Sequence, residues 1–121
     1  MKTLKTYCFR TCLSISHSAD NQKEHAQVHT VEIATYISYI DGQGDLKQFH
    51  DAEKIIDSLL KEYQEAYLNE LEGFETDTRI EHLGEVLYFR LHDMLKKYEM
   101  SMERFEISET PLRTYIITTK V

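Results

Sequence analysis

At 121 residues, with a hydrophobic fraction of 41% and a charged fraction of 29%, the chain has an ordinary globular composition and room for one core. The formal net charge of -7, with no basic stripe, argues against a nucleic-acid partner, because phosphate binding needs an excess of Lys and Arg on some face. No apolar run approaches the roughly 20 residues that cross a bilayer, and the N-terminus lacks a signal peptide's apolar block, so a single domain over 1–121, away from membranes and in the cytoplasm, is the expectation.

Residues 2–16 read as a long strand rich in Tyr, Phe, Thr, Leu and Ile. Side chains alternate across a strand, so Tyr7, Phe9, Leu13, Ile15 and His17 share one face. Cys8 and Cys12, the only cysteines, fall on the other face about 13 Å apart, too far for a disulfide, and read as free thiols. The polar stretch 18–27 has no period and reads as a loop. A second strand over 28–40 places His29, Val31, Ile33, Thr35 and Ile37 on one face. His17 therefore ends one strand and His29 begins the next, both on apolar inner faces beside the turn. A metal could sit between two such imidazoles, and two hydrogen-bonded histidines that bind nothing would satisfy the same pattern.

Asp41-Gly42-Gln43-Gly44 is a turn signal, after which the period changes. Ala52, Ile55, Ile56, Leu59, Leu60, Tyr63 and Tyr67 recur at helical spacing, with Glu53, Lys54, Asp57, Lys61 and Glu62 opposite, which predicts an amphipathic helix over about 48–70. Gly73 and the acidic stretch 72–77 break that pattern and read as a solvated loop. Thr78 with Glu81 three residues later forms a capping box for a second helix, whose apolar stripe runs from Ile80 through Leu83, Leu87 and Leu91 to Tyr98 and ends near residue 99. Two strands, 102–108 and 112–119, turn at Pro111 and close the chain. The predicted class is α+β, a four-stranded antiparallel sheet with two helices on one face in the order ββααββ.

That order and the motifs along it resemble the tunnelling-fold enzymes of pterin metabolism, the 6-pyruvoyl-tetrahydropterin synthase and 6-carboxy-tetrahydropterin synthase family. Leu13-Ser14-Ile15-Ser16-His17 is similar to the family's Phe-Ser-Ala-x-His strand end, and Val28-His29-Thr30-Val31 stands where the family has Leu-His-Gly-His. Gly44-Asp45-Leu46-Lys47-Gln48-Phe49 is similar to Gly-Met-Val-x-Asp-Phe, and Tyr63-Gln64-Glu65-Ala66-Tyr67-Leu68-Asn69 to Leu-Asp-His-x-x-Leu-Asn. Arg79-Ile80-Glu81-His82-Leu83 resembles Thr-x-Glu-Asn-Leu, and Phe105-Glu106-Ile107-Ser108-Glu109-Thr110 resembles Val-x-Val-x-Glu-Thr.

The resemblance implies a zinc held by three histidines, a loop cysteine working with an Asp-His pair in proton transfer, and a glutamate that grips the pterin ring. Here His17 and His29 stand at two metal positions, but Val31 occupies the third, so zinc is expected weakly or not at all. His25 stands in place of the loop cysteine and Gln64-Glu65 in place of Asp-His, which makes His25 and Glu65 the candidate catalytic groups; a glutamine cannot exchange protons near neutral pH. Glu109 and Thr110 are the candidate substrate-binding pair. For His25 and Glu109 the plain alternatives are an exposed loop residue and a solvated strand-end carboxylate. The expectation is a divergent pterin-binding relative that assembles as a homo-oligomer, a trimer or hexamer, and has lost the family's relay. The alternative is an active metal-dependent lyase or aldolase-like enzyme with a rearranged site built from His17, His25 and His29.

Overall fold

The structure, a computed structural model, describes residues 5–39 and 46–119; the turn read at 41–44 and the first residues of the opening strand lie outside them. Strand β1, Tyr7–His17, pairs antiparallel with β2, Gln27–Tyr39, in a register that sets Leu13 opposite Val31 and Ile15 opposite His29. Strand β4, Met100–Thr110, lies on the other side of β2, with Ile33 opposite Ile107 and Thr35 opposite Phe105. Strand β5, Arg113–Thr118, completes that edge and sets Tyr115 opposite Ile107.

The alternation read from the sequence decides which face is covered. Leu13, Ile15, Val31, Ile33, Phe105 and Ile107 are all at most 1% exposed. They meet Ala52, Ile56 and Leu59 of helix α1, Leu46–Lys61, and Leu83, Leu87, Leu91 and Leu95 of helix α2, Ile80–Lys96, in one hydrophobic cluster. Burying a Leu or Ile completely is worth roughly 1.5–3 kcal/mol, so the pattern of period 2 against period 3.6 carries most of the fold's stability. The opposite sheet face is polar, and Cys8 and Cys12 are exposed there as free thiols.

Three expectations are corrected. Among the described residues the sheet has five strands, not four, because Ala66–Tyr67 forms a short strand, β3, parallel to Ile15 and Ser16 of β1, and the order is β3-β1-β2-β4-β5. Helix α1 consequently ends at Lys61 and does not run on to 70. Glu65 turns into the left-handed region with φ 61°, its amide donates to the Ser14 carbonyl at 2.6 Å, and Gln64 Oε1 accepts from the Ser14 amide at 3.0 Å. Helix α2 is capped at Arg79 rather than Thr78, whose hydroxyl is engaged elsewhere, and it stops at Lys96, leaving Tyr98 55% exposed. The closing strands also run beyond or fall short of their predicted limits by one or two residues at each end, as expected of boundaries read from pattern.

Candidate functional site

The β1–β2 register makes His17 and His29 diagonal neighbours on the helix-covered face, since His17 pairs with Gln27 and His29 with Ile15. Diagonal positions are within reach of aromatic side chains. The two rings lie with centroids 5.0 Å apart at an interplanar angle of 36°. Thr78, on the approach to α2, sets its hydroxyl 3.3 Å from His17 Nδ1. The other ring nitrogen, Nε2, is buried and has no hydrogen-bond partner among the described residues. Burial, and next the neighbouring charge of His29, push the His17 pKa below the ordinary imidazole value, against an opposing pull from Glu109.

Glu109 enters from β4. On the face of Phe105 and Ile107 but past the core, it sets Oε2 3.6 Å from His29 Nδ1, with both side chains about one-third exposed or less, at 32% and 27%. Glu109 and His17, but not His29, line an open cleft of about 610 Å³ between the start of α2 and the β4–β5 hairpin, floored by Ile107 and walled by Arg79, Glu81, Arg113 and Tyr115. Thr110 also lines the cleft, but its Oγ1 accepts the Leu112 amide at 3.2 Å and so shapes the hairpin turn.

The other two candidates are placed differently. His25 sits on a 3-10 turn, Lys23–His25, where its Nδ1 is hydrogen-bonded to Asp20, and both side chains are exposed. That loop is fastened to the chain after β3: Asn69 Oδ1 accepts the Ser18 amide at 3.0 Å, its Nδ2 donates to the Ser18 carbonyl at 2.8 Å, and the Ser18 and Tyr67 hydroxyls are 2.6 Å apart. Glu65 is exposed at the left-handed turn described above. The structure thus brings together His17, His29 and Glu109, adds Thr78, and leaves His25 and Glu65 in other local settings.

The sequence profile of the 6-pyruvoyl tetrahydropterin synthase family matches residues 2–120. The chain belongs to the 6-pyruvoyl tetrahydropterin synthase family. Among solved structures, the 6-pyruvoyl tetrahydropterin synthase of Caenorhabditis elegans superposes with a TM-score of 0.76 at 15% identity, covering 96% of each chain. The Plasmodium falciparum 6-pyruvoyl tetrahydropterin synthase gives 0.62 at 12% identity, over 97% of this chain and 98% of that one. An uncharacterised protein of Wolinella succinogenes gives 0.66 at 10% identity over 96% and 98%. A sequence search of curated proteins finds no match. At such identities the superpositions establish the fold and nothing finer.

Zinc, which the synthase family implies, can be tested against the side chains present. His17 Nε2 is a buried nitrogen with no partner among the described residues, which suits a metal donor, and His29 lies beside it. Val31, at the family's third position, is 0% exposed within the core and offers no donor. Among the described residues no three His, Cys, Asp or Glu side chains form a group that would hold a metal ion. A catalytic zinc centre takes three protein ligands and keeps one open position, so this set does not fit as it stands. The residues that sequence reasoning missed are Thr78, Arg79, Arg113 and Tyr115. Thr78 was concealed by its resemblance to a helix cap, Arg79 stood in a family-like motif without being given a role, and Arg113 and Tyr115 carry no local signal.

Proposed function

We propose that the cleft binds a pterin or a similar fused heterocycle in a divergent site of the synthase family, one in which the family's proton relay and third zinc donor are missing. The observation that carries this reading is the Glu109 carboxylate, which stands 3.6 Å from His29 at the end of the cleft and above the apolar floor of Ile107. A carboxylate that accepts two N–H groups from an amino-pyrimidine edge makes a paired, charge-assisted contact, and a flat ring suits an apolar wall. His17 lines the cleft with His29 behind Glu109, Thr110 shapes the rim, and zinc is held weakly or not at all.

Calorimetry with a panel of pterins tests the reading. The wild-type chain is expected to bind at least one, and Glu109→Gln to weaken binding by roughly tenfold or more, because the ligand's donors lose their charged acceptor. No binding by the wild-type chain, or equal binding by the variant, would leave only the fold. The competing reading, a metal-dependent lyase using His17, His25 and His29, requires His25 to exchange its Asp20 hydrogen bond for a ligand role; metal content of the purified wild-type and His25→Ala chains separates the two. The same reading places the chain in a homo-oligomer, a trimer or hexamer, joined through the free edges of its sheet.

A further inference from the structure

The open face of the sheet carries a second cleft, of about 400 Å³, on the side away from His17 and Glu109. It is built from two rows of residues across three strands. One row is Arg10, Ala34 and Glu106, paired in that order across β1, β2 and β4, and the next is Cys12, Glu32 and Ser108. Strand alternation puts all six side chains on the face that the helices leave uncovered. Ala34 stands between two long side chains, so the first row dips at its centre, and Ala34 is 4% exposed at the floor of that dip.

Two arginines and two glutamates share this part of the face, and only one pair is made. Arg104 donates from Nε to Glu106 Oε2 at 2.6 Å and lies over the Tyr36 ring, so Glu106 is committed. Arg10 and Glu32 are diagonal neighbours, because Arg10 pairs with Ala34 and Glu32 with Cys12. Both are exposed, and among the described residues neither side chain has a hydrogen bond or an ion pair. A direct pair between them would gain little, since water screens exposed charges and two long side chains lose freedom in meeting. A ligand that brings both opposite charges meets each with charge-assisted hydrogen bonds, and the guanidinium fork takes a carboxylate two-pronged. Diagonal positions lie about 7–8 Å apart at the backbone, so the ligand's two charges have to sit close together. The floor at Ala34, with Pro111 beside it, suits a short apolar substituent.

We propose that this second cleft binds a small α-amino acid as a zwitterion, its carboxylate on Arg10 and its ammonium group on Glu32. The inference is independent of the heterocycle-binding reading, since it uses the other face of the sheet. Cys12 lines the cleft and reports its occupancy, while Cys8, exposed about 13 Å along β1 and outside the cleft, serves as the internal reference. The test is the rate at which iodoacetamide alkylates each cysteine of the full chain, read by peptide mass spectrometry with and without L-alanine, acetate or methylammonium at equal ionic strength. L-alanine at about 50 mM, a concentration suited to a small ligand held by a few polar contacts, is expected to slow Cys12 several-fold and to leave Cys8 unchanged. Acetate and methylammonium, which carry one charge each, are expected to protect Cys12 far less. Arg10→Gln and Glu32→Gln, both exposed substitutions, should each remove the protection, and Ala34→Leu should remove it by filling the floor while both charges remain. Circular dichroism checks that each variant keeps its fold. The proposal is overturned by no protection of Cys12, by equal slowing of both cysteines, by acetate or methylammonium protecting as well as L-alanine, or by protection that persists in Arg10→Gln or Glu32→Gln; none of these outcomes bears on pterin binding.

Discussion

His17 is the residue through which the site communicates with the stability of the fold. Its folded pKa lies below the ordinary value of 6.5, first because burial penalises the charged ring and next because His29 is near. An unfolded chain therefore binds the proton more readily than the folded one. Stability is fully present above about 6.5 and falls as the pH drops from there through the lower folded value. The melting temperature of chelator-treated protein should decline across that acid window, and His17→Gln should flatten the decline; an equal slope in both would assign it to other groups. Val31→His is the second substitution to make. It places an imidazole on the face of His29, so zinc retained after dialysis should rise, although exchanging a fully buried Val for a polar ring should itself lower stability by about 1–3 kcal/mol in denaturant titration. A wild-type chain that already keeps one tight zinc would contradict the two-histidine argument. The placing of His17 and His29 side by side was legible in the sequence because strand alternation fixes the face, whereas Glu109 was singled out only by its resemblance to the family's Glu-Thr motif. Thr78 was not, because a hydroxyl three residues before a glutamate has the same spacing whether it caps a helix or meets a histidine 61 positions away.

The elements show where local pattern stops deciding. Both helix faces and the inner faces of β1, β2 and β4 follow from periodicity, and the core is built from those positions. The end of α1 does not, since Tyr63 and Tyr67 continue the helical spacing past Lys61. What stops the helix is Ser14, 50 positions away, whose backbone takes up Gln64 and Glu65 and draws the next two residues into β3. Glu65 accepts a left-handed backbone for this, which costs a side-chain-bearing residue about 1 kcal/mol. Glu65→Gly should therefore be neutral or stabilising by up to that amount in urea denaturation, and pterin affinity should hold if the glutamate's only task is to turn the chain. Gly84 of α2 is the opposite case. A Cβ there would stand 2.9 Å from Ile107 Cγ2 and 3.4 Å from Tyr115 Cδ2, two side chains that also border the cleft. The gain in helix propensity, about 1 kcal/mol, is set against overpacking of about 1–3 kcal/mol beside a fully buried, branched neighbour. Gly84→Ala should thus be net destabilising, and by moving Ile107 or Tyr115 it should weaken heterocycle binding as well.

At the scale of the molecule, the sheet has unfinished edges. The open face needs no apolar cover: Arg104 lies over the Tyr36 ring and bonds Glu106 at 2.6 Å, and the cysteines beside them are exposed. The edges are different. Among the described residues, strand β3 covers only Ile15 and Ser16 of β1, and β5 pairs on one side only. Because the Ser14 amide and carbonyl point away from β2, to Gln64 and Glu65, the alternation of an antiparallel strand directs those of Cys12, Arg10 and Cys8 outward too. Such a row of donors and acceptors, unmet among the described residues, is a template for another strand, and pairing β1 of one copy with β5 of the next would satisfy both edges in a closed ring. Light scattering at micromolar concentration should then report a multiple of the monomer mass. Arg10→Pro sharpens the test, because it removes an N–H that points outward and leaves the β1–β2 ladder its own bonds. The variant should keep its circular dichroism and cooperative unfolding while its mass falls toward that of one chain. A wild-type monomer, or a variant that assembles as before, would mean that these edges are not what joins the copies.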